Sequence, residues 1–400
     1  MGQIKYWMWL ACLTRLRPKA KLLALDFFGS VEELFFASAG ELRAVEGLRE
    51  TDFAYLCDKS MDSAMGAMDI CAREEIQLIA WGDSAYPRRL SQIYDPPAVL
   101  FVKGRMPVEE TDCAVCIAGT RGCTPYGYKM AERLGFELGR GGALVVSGLA
   151  EGIDSAGALG CLRAGGKCLG VLGTPIDQIY PKSNAALFRD VCMEGALISE
   201  YPPGTVYARN HFPARNRILS GLSLGVVIVE APEKSGALIT AEFASEQGRD
   251  VFAVPGNADA PACAGSNALL RDCAKLTLDG WDILGEYQGL FPHKIRRPDG
   301  NSFSPPPVRS TEKTATPPKD IDNKSDLEYI GLKDQLEGLT SKQLKIISAM
   351  EGECYADSII VKTSLSAAEV MSELTMLQIM GFVTPTGFDK YKLNIKTKRG

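Results

Sequence analysis

Residues 143–173 read ALVVSGLAEGIDSAGALGCLRAGGKCLGVLG: two short apolar runs, each closed by glycine, with a helical stretch between them. Related runs stand at 114–119 (AVCIAG), 225–231 (GVVIVEA) and 250–256 (DVFAVPG). Apolar runs that do not alternate with polar residues suit strands covered on both faces, and helical stretches between them suit the crossovers of a parallel sheet. The expectation is a doubly wound, Rossmann-like α/β domain over residues 76–289. Its ligand should sit at the carboxyl ends of the strands, where the glycine turns follow.

The rest of the chain differs in composition. Residues 1–75 are helical in pattern; in GSVEELFFASAGELRAVEGL, Ser30 is the expected N-cap with Glu33 in capping-box position. Residues 290–335 include SPPPVRSTEKTATPPKDIDNKSD, rich in Pro, Ser, Thr and charge, with too few apolar residues to pack, and read as a linker. Residues 336–400 read as three helices and a hairpin, the pattern of a winged-helix module.

With 44 Lys and Arg against 49 Asp and Glu, net charge −5 and pI near 5.4, the chain is not one that coats duplex DNA by bulk attraction. Any nucleic-acid site must be a local patch. The opening MGQIKYWMWLACLTRL is interrupted by Lys5 and Arg15 and is too short to span a bilayer, so it is expected to be an amphipathic helix. Twelve irregularly spaced cysteines suit free thiols in a reducing cytoplasm. Cys113 and Cys116 have C-x-x-C spacing but lie in an expected buried strand with no second pair following, and no metal or cofactor is expected.

The strand ends supply the candidate site. Gly119, Thr120 and Arg121 follow the first run, Ser147 and Gly148 close the second, Lys182 lies beyond the third, and Ser235 and Gly236 open a helix after the fourth. Between Tyr201 and Val229 there is no Asp or Glu, yet Arg209, Arg215 and Arg217 fall inside, the last two in FPARNR (212–217) with Phe212 and Asn216. Guanidinium forks bind phosphate, and a ring accepts an unpaired base, which together suit single-stranded nucleic acid. The other reading of the same residues is ion pairing of Arg215 and Arg217 with Glu230 or Asp154, with Phe212 in the core. No G-x-G-x-x-G follows a strand, and GCLRAGGKC misses the Walker pattern, which disfavours NAD and ATP. His211 is the one imidazole of the α/β region, so no nucleophile and base pair emerges.

The run from SGLAEGIDSAGALG through GTPIDQIYPKSN, with LISEYPPGT, HFPARNRILSGLS, VVIVEAPEKSGALITAEFASEQGRDVFAVPG and GSNALLRDCA, resembles the DNA-processing protein A family, DprA or Smf. YPRRLSQIYDPPAVLFVKG and GTRGCTPYG extend the likeness over residues 76–284. The resemblance implies an extended Rossmann-like domain, with a helical domain of SAM or helix-hairpin-helix type before it and a winged helix after it. It also implies a homodimer that binds single-stranded DNA and loads the RecA recombinase during natural transformation, a mediator rather than an enzyme. On matching positions it implies that Arg121, Phe212, Arg215, Asn216 and Arg217 line the DNA pocket, with Gly119, Thr120, Ser147 and Gly148 giving backbone approach.

There are departures from the family pattern. Ala158 stands where the family usually has histidine, TRLRPKAK lacks the glycines of a helix-hairpin-helix turn, and the expected recognition helix, 366–380, carries Glu369 and Glu373 but no Lys or Arg. A groove-reading helix normally brings positive or amide side chains, so duplex recognition is not expected there. The alternative function is a Rossmann-like nucleoside-monophosphate phosphoribohydrolase, in which Glu242 of SGALITAE would be catalytic, although the P-G-G-x-G-T glycines of such enzymes are missing. A transcription regulator acting through the winged module is a third reading, opposed by the acidic helix.

Overall fold

The computed structural model describes residues 3–107, 112–297, 340–350, 353–363, 365–379, 382–387 and 390–393. From residue 298 onward the expected linker lies outside the described residues. The chain divides into two compact units, Met1–Arg309 and Ser310–Gly400.

In the first unit six helices come first: α1 (Ile4–Cys12), α2 (Pro18–Phe28), α3 (Val31–Phe36), α4 (Ala39–Leu42), α5 (Glu50–Leu56) and α6 (Asp62–Arg73). Ser30 caps α3 by accepting from the Glu33 amide at 3.1 Å, and the reciprocal capping box forms one helix later, between Ser38 and Glu41. Next come β1 (Gln77–Ala80), α7 (Arg88–Ser91), β2 (Val99–Gly104), β3 (Ala114–Ala118), α8 (Pro125–Arg140), β4 (Leu144–Ser147), α9 (Ile153–Arg163) and β5 (Cys168–Leu172). They are followed by α10 (Ala185–Glu194), β6 (Ala196–Ser199), α11 (His211–Leu222), β7 (Gly225–Ile228), α12 (Gly236–Glu246), β8 (Asp250–Ala253), α13 (Ala264–Asp272), β9 (Lys275–Leu276) and α14 (Gly280–Tyr287).

The strands form one sheet in the order β1-β2-β6-β5-β4-β3-β7-β8-β9. It is parallel from β6 to β9, with β2 antiparallel to β6 and β1 antiparallel to β2. This parallel-dominated α/β sheet agrees with the glycine-closed runs. Its strands read as unbroken apolar segments because successive residues feed two different layers. Val115, Ile117, Val145 and Val227 pack in one layer with α8, α9 and α10, whereas Ala114, Cys116, Val146 and Val226 pack in the other with α11 and α12.

Helices α8 and α9 cross at glycines. A Cβ on Gly160 would lie 2.0 Å from the Glu132 carbonyl oxygen, so no larger residue permits that approach. The N-terminal helices contribute Trp9, Leu10 and Leu34 to the same apolar cluster as Val99, Phe101 and Val115, and α1 packs on β2.

The second unit contains α15 (Ser341–Ala349), β10 (Glu353–Tyr355), α16 (Ala356–Thr363), α17 (Ala367–Ile379), β11 (Val383–Gly387) and β12 (Lys390–Leu393). The strands form an antiparallel sheet in the order β10-β12-β11. Its core gathers Ile346, Ile359, Val370, Leu374 and Leu377. Strand β10 is a third strand beyond the expected hairpin. The acids of α17 are engaged within this unit: Lys342 donates to Glu369 at 2.9 Å and Gln343 to Glu373 at 2.8 Å.

Candidate nucleic-acid interface

The strand order reverses at β3, which has β4 on one side and β7 on the other. Chain segments leaving β3 and β7 diverge at their carboxyl ends, and such a switch point leaves a crevice. Here it is a cavity of about 680 Å³, bordered by the turn after β3, the first turns of α11 and the start of α12.

Hydrogen bonds and close packing fix the turn after β3. The Thr120 amide donates to the Glu230 carbonyl at 2.8 Å, and the Thr120 carbonyl accepts from Ile153 at 3.3 Å. A Cβ on Gly119 would lie 2.5 Å from the Ile153 side chain, so glycine is what lets α9 dock beneath this turn. With the backbone tied on both sides, Arg121 is exposed and its guanidinium sits over the Phe212 ring, 5.5 Å from the centroid. Across the cavity, Ser235 caps α12 by accepting from Ala237 at 3.3 Å, and a Cβ added at Gly236 would meet nothing within 4 Å.

Arg215 borders the floor but is 4% exposed. It donates to the carbonyls of Gly148, at 3.2 Å, and Val171, and to Asn216 Oδ1 at 3.4 Å. Asp154 lies beside it, and burial pushes this carboxyl up to about 6 against the opposing pull of the Arg215 charge. Burial likewise lowers the Arg215 guanidinium from its ordinary value. Asn216 borders the cavity and donates to the Gly236 carbonyl at 3.2 Å, bridging α11 and α12.

Arg217 corrects the expectation that all the FPARNR arginines meet DNA. It is 3% exposed and lies outside the cavity lining, with Nε 3.1 Å from Asp95 Oδ2 and Nη2 2.7 Å from Glu200 Oε1. Residues two apart on an α-helix point about 200° apart, so Arg215 and Arg217 could not both face the cavity once this stretch is helical. Glu230, the other expected acid partner, is instead fully buried against Thr124, accepting from its amide at 2.8 Å and its hydroxyl at 2.5 Å.

Ser147 and Lys182 also lie off the main cavity. The Ser147 side chain is fully buried, donating to the Asp154 carbonyl at 3.0 Å and accepting from Leu149 at 3.1 Å, so it supports the floor from behind. Gly148 borders a small adjoining recess; a Cβ there would lie 2.5 Å from Asp154 Oδ2 and 2.6 Å from Arg215 Nη2. Lys182 is exposed on the rim of the fold, outside both linings. Ala158 is fully buried in an apolar layer, and Glu242 is exposed on α12; neither borders the cavity. His211 stacks on Tyr201, rings 3.9 Å apart and 5° from parallel, and its partial burial lowers its pKa.

The lining adds residues that the sequence candidates omitted: Tyr180, Arg209 and Lys234. Arg209 had a visible signal in the acid-free window. Tyr180 and Lys234 sit in loops, where no periodicity marks which way a side chain turns.

The model of the family described as DNA recombination-mediator protein A matches residues 77–288. This chain belongs to that family. The Smf protein of Synechocystis sp. is 35% identical over 327 residues, covering 77% of this chain and 78% of that protein. The DNA processing protein DprA of Bacillus subtilis is 44% identical over 211 residues, covering 53% of this chain and 71% of that protein. The X-ray structure of DprA from Streptococcus pneumoniae shares the fold at a TM-score of 0.61 and 34% identity, covering 70% of this chain and 97% of that one. All the cavity residues of this recombination-mediator family member fall inside the matched span.

Proposed function

We propose that this protein binds single-stranded DNA in the cavity between β3 and β7 and acts in DNA processing as a recombination mediator. One observation carries the reading: Arg121, Arg209 and Lys234 are exposed around a cavity whose lining includes the rings of Tyr180 and Phe212, while the carboxylate bordering it among the described residues, Asp154, is buried. Exposed cations neutralise phosphates, a ring accepts an unpaired base, and about 680 Å³ admits a nucleotide or two but not a duplex. The name of the Bacillus subtilis relative, DNA processing protein DprA, supports the DNA-processing role.

The finer picture is a cytoplasmic homodimer that passes the bound strand to RecA without catalysing a covalent step. No helix among the described residues is long and apolar enough to cross a membrane. The order helix, strand, two helices and two strands supports a winged-helix reading of the second unit. Because Glu369 and Glu373 are used inside that unit, a protein-contact role fits it better than duplex recognition.

The direct test is fluorescence anisotropy with a labelled thymidine oligonucleotide and a duplex competitor. An Arg121→Glu, Arg209→Glu double variant should lose at least about tenfold in single-strand affinity with its fold intact. Unchanged affinity in that variant would place the DNA elsewhere. Capture of RecA by the DNA-loaded protein, absent without DNA, would support the mediator role.

A further inference from the structure

Beside the cavity mouth lie three mutually adjacent rings. Tyr180 is in the loop after β5, Tyr207 in the loop after β6, and Phe212 on the first turn of α11. Their centroids are separated by 5.4 Å (Tyr180 to Phe212), 5.7 Å (Tyr180 to Tyr207) and 6.0 Å (Tyr207 to Phe212).

Phe212 is the hub and is half-buried. Arg121 covers it at 5.5 Å, and it rests on Gly173, where an added Cβ would lie 2.7 Å from its Cδ1 atom. The two tyrosines remain 41% and 36% exposed, and neither phenol has a hydrogen-bond partner among the described residues.

Each tyrosine is followed two residues later by an exposed cation, in Tyr180-Pro181-Lys182 and Tyr207-Ala208-Arg209. Of the neighbouring acids, Glu151 borders the small recess beside Tyr180 and accepts from Ser183 at 2.7 Å, and Asp177 accepts from the Gly204 amide at 3.0 Å. Rings interleaved with cations form a stacking platform that every base can use, because every base has a π-face.

We propose that Tyr180 and Tyr207 are stacking surfaces for two unpaired bases beside the cavity, with Lys182 and Arg209 on the adjoining phosphates and Phe212 as their fixed support. The proposal rests on the single-strand reading above and assigns the base contacts to residues other than Phe212. It also brings Lys182 back into the interface, outside the cavity rather than in it.

The test compares a thymidine oligonucleotide with an abasic oligonucleotide of equal length, which keeps the phosphates and lacks the bases. The intact protein should prefer the thymidine strand by about fivefold or more for each stacked base. A Tyr180→Leu, Tyr207→Leu double variant should bind the thymidine strand no better than the abasic one, with abasic affinity unchanged. A Tyr180→Phe, Tyr207→Phe variant should restore the preference, which a merely structural role for the rings would not require. Retention of the full preference in the leucine variant, or no preference in the intact protein, overturns the proposal. Arg121→Glu separates the two levels: loss of affinity for both strands keeps the cavity reading whatever the tyrosines do, and unchanged affinity for both removes that reading as well.

Discussion

Arg217 and Glu200 are held 2.7 Å apart at a depth that leaves the arginine 3% exposed, with Asp95 closing on its other side. Arg121 touches the same helix through Phe212 and stays in water. Arg217→Ala strands two carboxylates and should cost about 3–5 kcal/mol of stability. Arg121→Ala should change stability by no more than about 0.5 kcal/mol while weakening single-strand binding. Urea midpoints and anisotropy on both variants check this; the opposite pattern would place Arg217 at the DNA.

Salt should tune the interaction by a predictable amount. If Arg121, Lys182, Arg209 and Lys234 each neutralise one phosphate, the logarithm of affinity should fall with the logarithm of salt at a slope of about −3. Changing any one of them to Ala should make the slope shallower by about 0.7. A titration in sodium chloride reads this directly, and a flat profile would contradict phosphate contact.

Stability should rise in mildly alkaline solution because of Lys21. Burial lowers this ammonium from its ordinary value to about 8, with Glu200 opposing the shift and Arg217 adding to it. Above a pH of about 8 the folded protein has released a proton that the unfolded chain still holds, so stability climbs with pH until the unfolded lysine also titrates. Lys59, also lowered by burial to about 8, contributes in the same direction, so Lys21→Met should make this climb shallower and be more stable than the native protein near neutrality. Denaturation series from pH 7 to pH 10 on the two proteins, compared by difference, test it; parallel curves would refute it.

Gly173 sets the position of the aromatic hub. Gly173→Ala puts a methyl 2.7 Å from the Phe212 ring and should cost about 1–3 kcal/mol as the ring is pushed aside. Single-strand affinity should fall with it, because Arg121, Tyr180 and Tyr207 all lean on that ring. Thermal unfolding and anisotropy on the variant decide the matter.

The sheet was legible because burial on both faces leaves β3, β5 and β7 no polar position and β4 only its closing serine, and an unbroken apolar run closed by a turn has few other readings. The two-residue β9 and three-residue β10 are too short to carry a pattern. At the site, the glycine turns and Arg121 could be found from strand ends alone. Arg215 and Arg217 could not be told apart until the stretch was known to be helical, and the proline at 213, tolerated in a first turn, disguises that helix. The tyrosines were hidden for another reason: loop residues meet through the fold, and Tyr180 and Tyr207 lie far apart in sequence.

The packing of α1 on β2 bears on where this protein can be cut. The family match spans residues 77–288, yet the flank of the sheet bearing Val99 and Phe101 shares its apolar layer with Trp9 and Leu10. A fragment trimmed to the recognisable region would offer that greasy flank to solvent and invite clumping. The leading helices thus act as a sealing wall whose loss would be felt at the cavity only through collapse of the whole.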